Sequence, residues 1–301
     1  MRARNQYRTL GILLGILGVV LFSTKAVLVK LAYRYDIDTL ELLLFRMLFS
    51  VPFYAIILLS IQGKKKQLPT RKDMFWIVVF GFLGYYMASY FDFLGLNYIK
   101  AGLERIILFV YPTIVVVLGY IFFKDRISKT QAVAIGITYA GVLVTFWSEI
   151  DLSGSKTLWG GFLVLLSAIT YASYLVGSGW LIPKYGVMRF TCYSMIVSTF
   201  CVVVHYGVYG NWQLWDFPAM VYVYGILMAI ISTLIPSFLV SESIKRLGAS
   251  NFSILGSLGP VSTIILAYIF LGEQLTYIQL LGMLVVIGGV TFLSLKVKSK
   301  K

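Results

Sequence analysis

The sequence has few of the residues that most enzyme and metal sites require. It contains one histidine and two cysteines in 301 residues. The single histidine, His205, excludes a site with several histidine ligands. Cys192 and Cys201 lie in one apolar segment, where packing is expected rather than a disulfide or metal binding. There is also no nucleotide-binding loop or nucleophile motif in the sequence. We therefore predict a protein that is not an enzyme and that binds no cofactor and no metal.

Charged side chains are also scarce, at 13% of the residues against 59% hydrophobic residues. A soluble domain of this size could not bury so much apolar surface, because a globular fold covers itself with polar groups. Apolar runs of about 20 residues, long enough to span a bilayer, recur along the chain. The first, from about Leu10 to Tyr33, is too long for the hydrophobic region of a signal peptide. The composition predicts an all-α integral membrane protein.

Ten apolar segments are predicted to be transmembrane helices. Their approximate limits are 10–33, 38–62, 73–97, 101–123, 129–148, 157–182, 187–210, 217–246, 249–271 and 276–296. Lysine and arginine cluster at the two chain termini and in every second loop between the predicted spans. These segments are 2–8, 64–72, 124–129, 184–189, 245–246 and 296–301. The opposite connections hold Arg34, Lys100 and Lys156. Because cytoplasmic loops are enriched in these cations, both termini are predicted to be cytoplasmic. The same enrichment explains the net charge of +14 better than binding of nucleic acid does.

The two halves of the chain match each other at a shift of 148 residues. "YIKAGLERI" at 98–106 aligns with "RLGASNFSI" at 246–254, and Pro112 aligns with Pro260. Five spans per copy is an odd number, so the second copy must be inverted across the bilayer. Residues 1–150 and 151–301 are therefore predicted to be two inverted five-helix repeats. This architecture is typical of secondary transporters, which bind substrate between the halves.

Two related segments identify a family. They are "YIKAGLERIILFVYPTIVVVLGYIFFKDRIS" and "RLGASNFSILGSLGPVSTIILAYIFLGEQLT", and each has a small-residue turn, an apolar helix with a central proline and an acidic loop. In these features the chain resembles the drug/metabolite transporter superfamily, in its EamA-type ten-helix form, over nearly its whole length. The resemblance implies alternating-access transport, often export, of small metabolites across bacterial inner membranes. It assigns no substrate-binding residue, because the family has no universal substrate motif.

Polar side chains inside the predicted spans follow helical spacing. Such groups are costly in lipid and usually face a cavity. The stripes comprise Tyr85, Ser89 and Asp92; Ser167, Tyr171, Tyr174 and Ser178; Thr233, Ser237 and Ser241; and Ser253, Ser257 and Pro260. Packing between helices is the alternative for any single serine or threonine, but together the stripes favour a cavity wall. The tyrosines, Tyr111 among them, are suited to stacking on a planar or cationic substrate, or to filling space.

Seven charged residues fall inside the predicted membrane region, all of them in the first half of the chain. They are Lys25, Lys30, Glu41, Arg46, Asp92, Glu104 and Arg105. For Lys30, Glu41 and Asp92 we favour snorkelling to interfacial water. Lys25 and Arg46 are predicted roughly 5 and 6 Å from the midplane, from a helical rise of about 1.5 Å per residue, so both are candidates for substrate binding.

The internal repeat adds information on the remaining charges. Arg105 aligns with Ser253, which belongs to a polar stripe, so Arg105 is predicted to point into the cavity. Its role is either an outer gate or contact with substrate, with Glu104 as its partner. Lys25 aligns with Ser173, away from the Tyr171–Tyr174 face, so a pair with a carboxylate between helices is the alternative for Lys25. His205 and Glu242 are candidates for a proton relay. For His205, hydrogen-bonded packing is the alternative.

These observations favour a secondary transporter, expected to be an exporter, for a small amino-acid-like or zwitterionic metabolite. Arg105, Lys25 or Arg46 would attract its carboxylate, and Glu104 or Asp92 its amine. The alternatives are an anionic nucleotide- or cofactor-like substrate and a non-transporting or flippase-like membrane protein. The expected partners are lipid and a small-molecule substrate with coupled protons as an option, in a monomer or homodimer.

Overall fold

The computed structural model describes residues 2–61, 68–124, 127–146, 155–256, 258–272 and 276–299. Fourteen α-helices and no strand occur within these residues, which confirms the all-α prediction. The helices are α1 (Arg2–Ala32), α2 (Thr39–Ser60), α3 (Arg71–Gly81), α4 (Ala88–Leu96), α5 (Ala101–Leu108), α6 (Tyr111–Phe123), α7 (Lys129–Phe146), α8 (Ser155–Tyr185), α9 (Val187–Tyr209), α10 (Ala219–Ala229), α11 (Ile235–Leu247), α12 (Ala249–Leu255), α13 (Leu258–Leu271) and α14 (Tyr277–Ser299). Parts of the cationic connections at 64–72 and 124–129 lie outside the described residues.

The distribution of side chains is that of a membrane protein. Seven helical stretches in the described ranges are long and apolar enough to cross a bilayer, and two more are shorter. Large apolar side chains such as Ile56, Phe122, Phe200 and Leu284 are exposed on the outer surface. Charged and hydroxyl groups are buried inside. Lipid accepts apolar side chains and a protein interior can pair polar ones, so this arrangement suits a bilayer.

Two of the predicted spans contain a π-helical turn. α3 and α4 are joined through Phe82–Met87, and α10 and α11 through Ile230–Leu234. The extra residue in such a turn displaces the following side chains around the helix, and π-turns occur frequently at functional sites. The two π-turns begin 148 residues apart, which is the shift found in the sequence.

Two other spans are broken, where the sequence predicted continuous helices. The span predicted at 101–123 is divided into α5 and α6, and the span at 249–271 into α12 and α13. Pro112 and Pro260 lie in the first turn of the second piece in each case. Proline has no backbone N–H. The N–H groups of the first helical turn have no carbonyl acceptor within the helix, so a proline there costs no backbone hydrogen bond.

Helices of the two halves interlock. α1 packs on α11 and α13, while α8 packs on α4 and α6. α2 packs on α9, and α7 on α14. The contacts of α1 in the first half therefore correspond to the contacts of α8 in the second half. The other two contacts, α2 with α9 and α7 with α14, each join equivalent helices of the two halves. The interior between α1, α4, α5 and α8 contains the polar groups described below.

The close α7–α14 contact generates a test of the packing. A Cβ on Gly141 would lie 2.7 Å from the Val286 backbone nitrogen and 2.8 Å from the Gly282 carbonyl oxygen. Gly141→Ala should therefore destabilise the protein by about 1–3 kcal/mol, measured as a lower melting temperature in detergent. Gly136→Ala on the same helix is the matched control, because nothing lies within 4 Å of that Cβ. The control should be neutral or slightly stabilising, and equal losses in both variants would contradict the α7–α14 contact.

Candidate functional site

Two buried ion pairs lie between the first helices of the chain. Lys25 Nζ of α1 lies 2.6 Å from Asp92 Oδ2 of α4. Arg105 Nε of α5 lies 3.0 Å from Glu104 Oε2 on the same helix. Asp92 and Glu104 are 0% exposed, Lys25 3% and Arg105 5%. Buried charges are commonly paired, because an unpaired buried charge is costly. Lys25 is paired with a carboxylate between helices, which is the alternative that the sequence offered for this residue.

The two ion pairs are neighbours, because the charges of Asp92 and Lys25 act on Glu104. We call the four side chains Lys25, Asp92, Glu104 and Arg105 the charge chain. The snorkelling predicted for Asp92 is wrong, because Lys25 gives the carboxylate an internal partner. Lys30 donates to the Leu96 carbonyl oxygen at 2.6 Å, and Glu41 accepts from the Asp38 backbone N–H at 3.2 Å and is buried.

Arg46 of α2 links the two π-turns. Its Nε donates to Thr233 Oγ1 at 2.7 Å, within the second π-turn. Its Nη1 donates to Ser89 Oγ at 3.1 Å, two residues after the first π-turn. The guanidinium also lies 5.4 Å from the centre of the Phe93 ring, within cation–π range. Arg46 Nη2 has no hydrogen-bond partner in the described ranges of the chain.

A central cavity of about 50 Å³ lies beside the charge chain. Lys25 and Arg105 line it, and neither Asp92 nor Glu104 does. Arg105 Nη2 is buried and has no hydrogen-bond partner among the residues described. A water molecule needs about 10–15 Å³ by this measure, so the cavity holds only a few waters in this conformation. The cavity wall therefore presents positive charge, while the compensating carboxylates lie behind it.

Aromatic side chains also line the cavity, and Lys25 Nζ lies 5.0 Å from the centre of the Phe22 ring. Tyr111 and Tyr171 line it, with ring centres 5.3 Å apart in an edge-to-face arrangement, and Phe22 stacks on Tyr171 at 6.1 Å. The Tyr111 hydroxyl lies against Gly256 in the break between α12 and α13, where a Cβ would be only 1.4 Å from it. Only glycine permits this contact, which joins the two halves of the chain across the cavity.

The other predicted residues divide into two groups. Ser89 lines the cavity. Tyr85 and Tyr174 do not, and they pack edge to face with ring centres 4.9 Å apart. Ser253 is buried, donates to the Ser250 carbonyl oxygen at 2.8 Å and is absent from the cavity wall. Ser257 lies outside the described residues.

The two candidates for a proton relay lie apart from the charge chain. His205 Nδ1 is 3.0 Å from the Tyr86 hydroxyl, and its ring packs against Tyr90 and Tyr209. Glu242 pairs with Arg246 at 2.7 Å on the same helix. These contacts match the packing alternative for His205 and a local helix pair for Glu242.

Sequence reasoning missed several residues of the cavity wall. Phe22 and Ser23 lie three and two residues before Lys25 on α1, and Ser23 donates to the Val19 carbonyl oxygen at 2.8 Å. The helical neighbourhood of Lys25 could have identified both. Gly256 gave no indication in the sequence, because its role depends on where Tyr111 of the other half lies.

A second cavity of about 490 Å³ follows along the same helices. Val115 and Gly119 of α6 line it together with Trp180 of α8 and Asn251 of α12. Gln131 Nε2 donates to Asn251 Oδ1 at 3.1 Å at its edge. Tyr111 of the central cavity is one helical turn before Val115. The helix that carries Tyr111, which contacts Gly256, therefore lines both cavities.

The buried pair of Lys25 and Asp92 gives a thermodynamic test. Lys25→Met leaves Asp92 without its cation and should cost about 3–5 kcal/mol at pH 8. The double variant Lys25→Met/Asp92→Leu should recover most of that loss, since no unpaired charge remains. Thermal unfolding in detergent measures both. Glu242→Gln, which breaks a pair nearer the surface, is the reference and should cost less than about 1 kcal/mol. Additive losses in the double variant would disprove the pairing.

Comparisons with known proteins agree with this architecture. The profile of the EamA-like transporter family matches the chain twice, at residues 9–147 and 158–295. The chain is 30% identical over 319 residues to the uncharacterized transporter YcbK of Bacillus subtilis (strain 168), with 100% of both chains covered. It is 25% identical to the uncharacterized transporter sll1319 of Synechocystis, covering 98% of this chain and 96% of that one.

A solved crystal structure has the same fold. It superposes with a TM-score of 0.77 at 13% identity, covering 95% of this chain and 98% of the other. At this identity the likeness concerns the fold alone. The two matches to the family profile together span most of the sequence, and relatives of similar length are named as transporters. The chain belongs to the EamA-like transporter family of multi-pass membrane proteins.

Proposed function

We propose that the protein transports a small zwitterionic, amino-acid-like metabolite across the cell's inner membrane by alternating access. The carboxylate of the substrate binds between Lys25 and Arg105 in the central cavity. One observation carries the proposal: the cavity wall contains both cations of the charge chain and neither of its carboxylates. A buried guanidinium with a free N–H is a strong donor to a carboxylate.

The amine of the substrate binds on the aromatic wall. Tyr111, Tyr171 and Phe22 offer ring faces and edges to the cavity, and an ammonium group over a ring is attracted by the ring quadrupole. The sequence suggested Glu104 or Asp92 as the amine acceptor. Their position behind the cations favours the aromatic rings instead.

Several features support alternating access between two inverted repeats at 1–150 and 151–301. The family profile matches once in each half. The π-turns begin at equivalent positions of the two halves, and the helix breaks fall within one residue of equivalent positions. Broken helices at the interface between halves are typical of transporters built in this way. The small central cavity and the larger cavity beyond Tyr111 fit a state in which the substrate site is closed.

Size favours an amino-acid-like substrate over a nucleotide. The central cavity is about 50 Å³ and tightly bounded by Phe109, Phe252 and Pro260. A small zwitterion would require side-chain movement there, whereas a nucleotide would require the helices to separate.

The proposal is tested with purified protein in proteoliposomes. A panel of radiolabelled L-amino acids is offered for counterflow, and each amino acid that moves is compared with its methyl ester as a competitor. Competition by the free acid and none by the ester is expected, because the ester lacks the anionic oxygens that Lys25 and Arg105 bind. Failure of every member of the panel would contradict the proposed substrate class.

The Arg105→Gln variant should bind the transported amino acid roughly 10- to 100-fold more weakly, since a hydrogen bond to a charged group contributes about 1.5–3 kcal/mol. Lys100→Gln is the matched control, because Lys100 is an exposed cation just before α5. Monodisperse elution of both variants establishes that they are folded. An equal effect of the two variants would remove Arg105 from the binding site.

A further inference from the structure

We infer that an anionic phospholipid binds in a groove between α1, α9 and α11, with its phosphate at Lys245 and Arg189 and an acyl chain along the apolar part of the groove. The inference goes beyond the proposed function. It does not depend on which metabolite is transported, because the groove is separate from the central cavity.

The groove, of about 520 Å³, lies where several helices end. Of the residues that line it, Ile61 follows α2, Gly186 separates α8 from α9, and Lys245 is in the last turn of α11. These helix ends adjoin the cationic connections at 64–72, 184–189 and 245–246, which are predicted to be cytoplasmic. The charged end of the groove is therefore expected at the level of the headgroups of the cytoplasmic leaflet.

The lining of the groove changes from charged to apolar along α11. Glu242 and Lys245 line it near the end of the helix, and Phe238 and Leu239 line it one to two turns earlier, together with Leu14 of α1. Lys245 and Phe238 are seven residues apart, which is about 10 Å along the helix axis. A phospholipid has the same order of a charged headgroup followed by an apolar chain, so the groove fits an amphipathic ligand.

The charges of the groove favour an anion. Glu242 is the one carboxylate among the described lining residues, and Arg246 binds it at 2.7 Å without lining the groove. Lys245 Nζ is 3.5 Å from Glu242, and its side chain is 40% exposed. Arg189 also lines the groove, and its Nη2 donates to the Ile61 carbonyl oxygen at 3.5 Å. Basic pockets between transmembrane helices on the cytoplasmic side bind anionic headgroups.

The internal repeat indicates that the fold does not require these cations. At the shift of 148 residues, Arg189 corresponds to Glu41 and Lys245 to Asn97. The equivalent positions, on the opposite side in the inverted repeat, therefore have no positive charge. Anionic lipids give the cytoplasmic leaflet its negative surface potential, so the cations occur on the side where anionic headgroups are available.

Native mass spectrometry of the detergent-purified protein tests the headgroup. Phosphatidylglycerol and phosphatidylcholine with identical acyl chains are titrated separately, and the wild type should bind phosphatidylglycerol more tightly. Lys245→Gln should weaken that binding about fivefold, the factor that one basic residue contributes near an anionic surface, and should leave phosphatidylcholine unaffected. Lys184→Gln is the matched control, because Lys184 is 42% exposed and also 3.5 Å from a carboxylate, that of Asp73, but lies outside the groove.

Equal binding of the two lipids by the wild type would overturn the inference, since apolar contact alone would then explain it. Equal losses in the two lysine variants would also overturn it. Inorganic phosphate, measured calorimetrically, should bind at least tenfold more weakly than phosphatidylglycerol, because it lacks the acyl chain. Phosphate binding as strong as that of the lipid would contradict a phospholipid as the occupant.

A larger side chain in the apolar part of the groove tests the acyl chain. Leu14→Trp should weaken binding of phosphatidylglycerol severalfold, because the indole occupies space that the chain needs. Leu13→Trp is the control, since Leu13 is the neighbouring residue of α1, is 59% exposed and does not line the groove. Monodisperse elution establishes that each variant is folded. Unchanged lipid binding by folded Leu14→Trp, or equal losses in both tryptophan variants, would remove the acyl chain from the groove.

Discussion

The two buried ion pairs, Lys25 with Asp92 and Arg105 with Glu104, determine how the interior of this protein is organised. The first pair joins α1 to α4, and the second lies within α5. A charge without a partner costs several kcal/mol in a low-dielectric interior. α1 and α4 must therefore keep their relative position for the pair of Lys25 and Asp92 to remain intact. The same requirement places both cations on the side of the cavity and both carboxylates behind them.

The sequence was sufficient for the fold class and for much of the charge chain. Long apolar runs can exist only as helices in lipid, so composition alone predicted an all-α membrane protein. Charged residues inside such runs are rare enough to be noticed individually, and all four members of the charge chain were among the candidates. The partnership of Lys25 with Asp92 was only an alternative, because residues 67 apart in sequence give no indication of their distance in space.

Features that depend on backbone irregularity were not predictable in the same way. Hydropathy gives no sign of the π-turns at Phe82–Met87 and Ile230–Leu234 or of the helix starts at Tyr111 and Leu258. Yet these features direct the side chains. Arg46 reaches Thr233 within the second π-turn and Ser89 two residues after the first. Tyr85 and Ser253 had the right helical spacing for a cavity wall, and their orientation depended on such local changes.

The halves differ where the charges lie. At the shift of 148 residues, Lys25, Arg46, Asp92, Glu104 and Arg105 correspond to Ser173, Ser194, Val240, Phe252 and Ser253. The π-turns, the prolines and the interlocking helices occur in both halves, so the scaffold does not require the charges. Val240 and Phe252 also line the cavity. In the proposed site, a substrate would meet the cations Lys25 and Arg105 from the first half and uncharged groups from the described part of the second half. When the halves move, the cationic wall would hold the carboxylate while the apolar wall slides, because apolar contacts have no fixed direction. In the proposed alternating-access cycle, an asymmetric site would thus allow a nearly symmetric scaffold to hold one substrate in one orientation throughout the transition.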